Sequence, residues 1–305
     1  MAERTSIHKA GIRPRLACEV RPEGVIAARG STHRHRGETV MAFASLAGGA
    51  LLPGLKVPNL ADADAVTAAV ESALGEVNAK TKDLTLVVPD AAARVLLLDF
   101  DTLPAKRAEA LSVVRFRLRK MVPFDVESAA VSYQVMAEQG GQLSVLVTVM
   151  PGEVLAEYEG VIRKAGHSPG VVLPSTLASS AAIESGEAAL IVNHAGSCIT
   201  TAVTQGNEML LHRLMELPAE KRARDQEMAQ AVITTLAWYE DTLRSTPRIL
   251  RYAGSGGAAA ARTAPWAAMV EPVPQIEDFA GPEPSSTMVG IPAGLAAGVT
   301  GALAG

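Results

Sequence analysis

A chain of 305 residues, 48% hydrophobic and 20% charged, can bury a sizeable core and at this size is expected to divide into two domains. Its net charge of −4 excludes the general electrostatic attraction on which nucleic-acid binding rests. Cys18 and Cys198, both inside apolar strand patterns, make no disulfide framework and fit a reducing cytosol, and no run approaches the roughly 18 apolar residues of a spanning helix.

Residues 1–14 are polar and basic, without periodicity and without the apolar core of a signal peptide, so a mobile N-terminus and a protein neither exported by that route nor membrane-spanning are expected. Leu16–Val20 and Val25–Arg29 read as a hairpin closed by Arg21-Pro22-Glu23-Gly24, where Pro presets φ and Gly permits a positive one. A third strand, Thr39–Leu46, follows. Asp62 is placed to cap a helix over 62–77 that carries Val66, Val70, Ala73, Leu74 and Val77 at helical spacing, and Leu84–Val88 has the continuous apolar character of a buried parallel strand.

The pattern then changes over Ala91–Gly170 to strand, helix, strand, strand, helix. Val95–Phe100 is apolar, Pro104–Val122 is an amphipathic helix stopped by Pro123, and Ala130–Met136 and Leu143–Met150 flank the Gln139-Gly140-Gly141 turn. Pro151 is expected at the first position of a helix over Gly152–Ala165. Val171–Leu173 and a helix over Ser175–Glu184 return the chain to the first domain.

The opening order then recurs: strands Ala188–Val192, Cys198–Thr204 and Glu208–Leu217, a helix over Arg222–Arg244 with Met228, Val232, Thr235, Leu236, Tyr239 and Leu243 on one stripe, and a strand Arg248–Tyr252. Gly254-Ser255-Gly256-Gly257, an Ala-rich helix, a strand near Ala268–Glu271, the Gly/Pro-rich Gly281–Pro284 and the small apolar segment Ile291–Ala304 complete the chain; glycine weakens a helical reading of that last segment. The repeat implies an α/β protein of two ribonuclease-H-like halves, an actin-like fold. The expected division is residues 15–90 plus 171–186 for the first half, an inserted α+β unit over 91–170, and 187–305 for the second half.

Several residues make a resemblance at this point. Val87-Val88-Pro89-Asp90, Leu103-Pro104, a helix ending Arg119-Lys120-Met121-Val122-Pro123-Phe124-Asp125, and Val131-Ser132-Tyr133-Gln134-Val135 together resemble the PilM family of actin-like proteins of type IV pilus assembly, and more distantly the GspL cytoplasmic domains of type II secretion. The likeness spans roughly Leu16 to Gly298. It implies that 91–170 is the small subdomain called 1C. It also implies that the protein is a cytoplasmic adaptor, peripheral at the inner membrane, that binds the N-terminal tail of a PilN-like membrane protein in a groove between the first half and 1C, with pilus motor or platform proteins as further partners. Phe43, Leu98, Phe100, Leu111, Arg115 and Phe124 are the expected groove residues on that architecture.

The resemblance also implies where nucleotide would sit. Members of the fold that bind ATP carry Asp and Gly in both hairpin turns; Glu19-Val20-Arg21 and Asn193-His194-Ala195 stand here. Arg21 replaces a residue that needs no side chain, and Asn193 offers no carboxylate for magnesium. Gly254, Gly256 and Gly257 lie where the family has its adenosine motif, although a Gly-rich turn between strand and helix is more often simple geometry. The expectation is a degenerate nucleotide site, no resident cofactor and no ATP hydrolysis. An ATPase using Glu19 for metal, or a sugar-kinase-like enzyme using Asp90 as base, are the alternatives.

The remaining chemical signals have plain readings. His33 and His35 in the Thr32–Arg36 loop lack a further ligand at metal spacing, and His194 alone is ordinarily a hydrogen-bonded structural residue. Arg115, Arg117, Arg119 and Lys120 read as a solvated helix face, for which only the resemblance suggests contact with acidic lipid. No catalytic triad, paired carboxylates or zinc set can be assembled from local spacing.

Overall fold

The computed structural model describes residues 13–30, 39–183, 186, 188–279 and 287–304. The Thr32–Arg36 loop, Gly281–Pro284 and most of the N-terminal stretch lie outside the described residues. The chain runs β1 (Leu16–Arg21), β2 (Gly24–Arg29), β3 (Val40–Ser45), α1 (Ala63–Val77), β4 (Asp83–Val88), β5 (Arg94–Phe100), α2 (Arg107–Leu118), β6 (Ala130–Gln139), β7 (Gln142–Met150), α3 (Gly152–Lys164), β8 (Ser168–Pro174) and α4 (Ser175–Ser180). It continues through β9 (Ala188–Ala195), β10 (Cys198–Gln205), β11 (Glu208–Glu216), α5 (Lys221–Leu243), β12 (Ile249–Ala253), α6 (Gly257–Thr263), β13 (Gln275–Asp278), β14 (Thr287–Val289) and α7 (Ala297–Ala304).

Two sheets repeat one topology. In the first, the order is β14-β3-β2-β1-β4-β8; in the second it is β11-β10-β9-β12-β13. In each, a three-stranded antiparallel meander is followed by a crossover helix to a parallel strand beside the first strand, and a further parallel strand outside that one. β1 and β9 therefore sit at equivalent places in separate sheets, the duplicated actin-like arrangement that the repeat implies. Leu16, Cys18, Val20 and Val25 line one face of the first sheet under α1, whose Val66, Val70, Ala73, Leu74 and Val77 close the core. Asp62 caps this helix, its side chain accepting from the Ala65 amide at 2.9 Å.

The third sheet, β5-β7-β6, is the inserted unit, and α2 covers one of its faces. Residue parity sorts its strands: Leu98, Val145, Val147 and Val149 face α2, while Leu97 and Leu146 turn the other way toward Met209 and Ile191 of the second half. Only 94–150 forms this unit. The expected boundary at 170 needs correction, because Val154, Tyr158, Val161 and Ile162 of α3 are buried in the core of the first half, and β8 is a strand of its sheet.

A second correction concerns the C-terminal end. Residues 187–305 do not all belong to the second half: β14 pairs in parallel with β3, and α7 packs on the underside of the first sheet. Leu295, Val299 and Ala302 are buried there with Ala17, Ile26, Met41, Val87 and Ala178. The segment is helical despite its glycines because they permit close approach. A Cβ on Gly301 would fall inside contact distance of the Ala178 carbonyl oxygen, and one on Gly298 would fall against the Glu19 carboxylate.

Smaller differences follow local chemistry. Pro151 is the residue before α3 rather than its first turn. The Ser175 helix ends at Ser180, and the expected strand near Ala268–Glu271 is a 3-10 turn over Ala267–Met269 that buries Ala267 and Val270, the strand itself falling at Gln275–Asp278. Only Leu217–Glu220 separate β11 from α5, so among the described residues no extra subdomain stands there.

Candidate functional site

In a duplicated fold of this kind the two first hairpins point at each other across the cleft between the halves. The β1–β2 turn brings Arg21, Pro22 and Glu23, and the β9–β10 turn brings His194 and Gly196. They touch. Glu23 accepts the Gly196 amide at 3.0 Å, and a Cβ on Gly196 would lie 2.9 Å from the Pro22 ring. Gly196 is held at φ +57, a conformation that disfavours any side chain.

Behind the turns lies a continuous buried polar network. Arg21 donates to Glu19 at 2.9 Å, to the His194 carbonyl at 3.2 Å and to Glu23 at 3.3 Å. Ser175, at the start of α4, donates to the same Glu19 oxygen at 2.7 Å. Asn193 donates to Ser175 at 3.1 Å and to Asp90 at 3.2 Å. Asp90 also accepts the Thr176 amide at 2.9 Å, the Thr176 hydroxyl and the Thr200 hydroxyl at 2.8 Å. One carboxylate thus joins the end of β4, the start of α4 and the second half, which is why a Pro-Asp turn sits after β4. In the sequence Asp90 stands only as a candidate base and as the end of the Val87–Asp90 run; Ser175, Thr176 and Thr200 carry no motif, and their only signal is a position at strand ends that the topology brings together.

Charge is managed inside this network. Burial pushes the Glu19 carboxyl above its ordinary range, against the pull of Arg21 and the Ser175 hydroxyl. Burial opposes the Arg21 charge as well, but Glu19 and Glu23 outweigh it and hold the guanidinium above its ordinary value. His194 is pushed down chiefly by burial, with its Nε2 lacking a partner among the described residues. Buried Cys18, beside Glu19, is pushed up to about 12, first by burial, so it is an inert apolar residue.

These residues do not fit a magnesium–phosphate group. The space between Asp90, Asn193, Thr200 and Cys198 amounts to about 20 Å³, room for a single water. The glycine turn is equally occupied. Gly254 donates its amide to the Gly294 carbonyl at 3.0 Å, Gly257 packs against Gly294, and the Asp278 carboxylate accepts the Ala258 amide at 2.8 Å. A wider cavity of about 780 Å³ near Tyr239, Leu243 and Arg248 opens at the far end of β9 from the turn. Among the described residues no group of His, Cys, Asp or Glu is arranged to hold a metal.

The expected groove residues are scattered. Leu98, Phe100 and Phe124 pack into the core of the inserted unit, and Arg115 donates to the carbonyls of Val126 and Ala129, pinning the loop before β6. Leu111 is half-buried on α2, and Phe43 packs with the C-terminal segment beneath the first sheet. A groove does lie between the first half and the inserted unit, with β8 at one edge of the first sheet on one side and β6 at one edge of the small sheet on the other, but other residues line it. It measures about 160 Å³ and is lined by Val88, Ala130, Ser132, Met150, Leu155 and Val172.

No protein-family model and no curated protein sequence matches the chain. Among solved structures, a chain of a PilM-PilN type IV pilus biogenesis complex is 16% identical, with 91% of each chain covered and a TM-score of 0.70. The cytoplasmic domain of EpsL, an inner membrane component of the type II secretion system of Vibrio cholerae, is 15% identical, covering 94% of this chain and 92% of that one with a TM-score of 0.50. The chain shares their fold, the PilM-like form of the actin-like architecture.

Proposed function

We propose that this protein is a structural adaptor of a type IV pilus or related type II secretion platform, cytoplasmic and held at the inner membrane through its partner. The partner is the N-terminal tail of a PilN-like membrane protein, docked as an extended strand in the groove between β8 and β6. The observation that carries this reading is the groove itself. Two strand edges, each unpaired on one side among the described residues, flank an apolar floor of Val88, Met150, Leu155 and Val172. Open edges supply backbone hydrogen bonds to an added strand, and pockets between them select alternate side chains. The likeness to a chain of a PilM-PilN complex supports the choice of partner. Among the described residues no helix is long and apolar enough to cross a membrane, so attachment through a partner is in keeping with the fold.

The test is calorimetry with a synthetic tail from the membrane protein encoded beside this one. Ser132 is exposed and lines the groove, so Ser132→Arg should fill it without disturbing the core, weakening tail binding by about tenfold or more while the melting temperature holds. Folded wild-type protein that binds no such tail at high micromolar concentration, or a Ser132→Arg variant that binds as wild type, overturns the reading.

A further inference from the structure

α2 has apolar residues on two sides, and the core uses only one. Ala110, Val114 and Leu118 are buried against the small sheet. On the outer side Val113 is 37% exposed and Phe116 71% exposed, and Met121, just past the helix, is 45% exposed. Val113, Phe116 and Lys120 are spaced by three and four residues, so they share one stripe. An apolar helix face is ordinarily covered, and nothing among the described residues covers this one. The opposite face of the small sheet turns to the second half, which leaves α2 as an outermost layer of the molecule.

Charge is concentrated at the same place. Residues 106–120 carry Lys106, Arg107, Arg115, Arg117, Arg119 and Lys120 against the single acid Glu109, a net +5 in a chain whose total is −4, so the remainder stands at −9. Arg115 is engaged inward, and Lys106 and Arg119 make exposed pairs with Glu109 and Glu127. Arg119 also lies over the Phe116 ring, 6.0 Å from its centroid. Arg117 is exposed on the flank of the stripe, and Lys120 is exposed at its end, just past the helix. A convex helix with exposed Val, Phe and Met ringed by Arg and Lys has the composition of an interfacial surface, while a nucleic acid would gain nothing from the apolar stripe and an apolar peptide nothing from the charge. The acidic remainder orients the molecule, drawing this one face toward negative charge and repelling the others.

We propose that the outer face of α2 is a membrane-contact surface for anionic phospholipid bilayers. Phe116, Val113 and Met121 enter the headgroup boundary, and Arg117, Arg119 and Lys120 meet the lipid phosphates. This goes beyond partner-mediated attachment, since the adaptor itself touches the bilayer.

The test uses the whole chain and sucrose-loaded vesicles, one set rich in phosphatidylglycerol, the other pure phosphatidylcholine, near physiological salt. Partition into the anionic set should be about tenfold or more stronger, and Arg117→Glu/Lys120→Glu should remove that preference. Phe116→Ser should weaken binding severalfold with an unchanged melting temperature, because the ring is outside the core. A Phe116→Trp protein should show a blue-shifted emission only with anionic vesicles. Equal partition into both sets, or a charge-reversed variant that binds as wild type, overturns the proposal. Vesicle-bound Phe116→Trp with unshifted emission overturns insertion of this residue. Failure on vesicles combined with Arg117- and Lys120-dependent binding to polyglutamate makes the surface a docking face for an acidic protein, and the membrane proposal is lost.

Discussion

Arg21 is 1% exposed and Glu19 not at all, an ion pair fully withdrawn from water at the point where the two halves meet. Taking both charges out of water costs several kcal/mol, and the attraction between them roughly returns it. The pair therefore adds little net stability, but neither member can be lost alone. Arg21→Met leaves the Glu19 carboxylate buried beside Gly298 with only Ser175 as donor among the described residues, and should cost about 3–5 kcal/mol. The double change Glu19→Leu/Arg21→Met removes both charges and should recover most of that loss. Chemical denaturation of the wild type, Glu19→Leu, Arg21→Met and the double variant closes the cycle. A double variant destabilised by the sum of the two single changes would show that the two side chains do not depend on each other.

At the scale of elements, α7 is the piece that ties the chain's end to its beginning. It meets α4 through Gly301 and the Glu19 side chain of β1 through Gly298, where a side chain has no room: a Cβ on Gly301 lies 3.0 Å from the Ser179 Cα and closer still to the Ala178 carbonyl. Gly301→Val forces α7 off the sheet and should lower stability by about 1–3 kcal/mol, whereas Gly75→Ala, inside α1 with open space around it and ordinary helical backbone, should not lower it. Thermal melts of the two variants make the comparison. If Gly301→Val melts with the wild type, the close packing described for α7 is wrong. None of this was legible in the sequence, since glycine spacing reads as a poor helix unless the surface beneath it is known. The hairpins were legible, because Arg21-Pro22-Glu23-Gly24 names its own turn and the second copy repeats the order. α3 was legible as a helix from Pro151 ahead of Gly152–Ala165, but a helix start does not say which core the helix covers. The residues lining the groove escaped for a related reason. Leu98 and Phe100 share parity with Leu96 and so turn inward under α2, and the groove is lined instead by the small or exposed residues Ala130 and Ser132, which carry no apolar signal.

For the whole molecule, the cleft between the halves decides between a scaffold and a nucleotide-driven switch. Departures at Glu19, Arg21, Asn193 and His194 were visible in the sequence, but their consequence depends on contacts between residues more than 170 positions apart, such as Arg21 with the His194 carbonyl. To admit a magnesium–triphosphate, the fold must separate Pro22 from Gly196, break the Glu23 contact to the second turn, release Arg21 from Glu19 and withdraw Gly294 from the glycine turn. Freed Arg21 would meet phosphate as a cation, yet that exchange leaves Glu19 buried and unpaired, so the ligand is opposed by the cost that keeps the pair together. Adenosine fares no better, with Asp278 already on the Ala258 amide and its carboxylate repelling an incoming phosphate. We therefore expect calorimetry with Mg-ATP to show no saturable binding into the high micromolar range, and phosphate release to stay at the no-enzyme background. The same titration on the tail-bound complex should also be silent, since the groove at β6 and β8 does not include either turn. Micromolar binding that Gly256→Arg abolishes would mean that the halves open in solution, and the protein would then be a nucleotide-gated switch built on this fold.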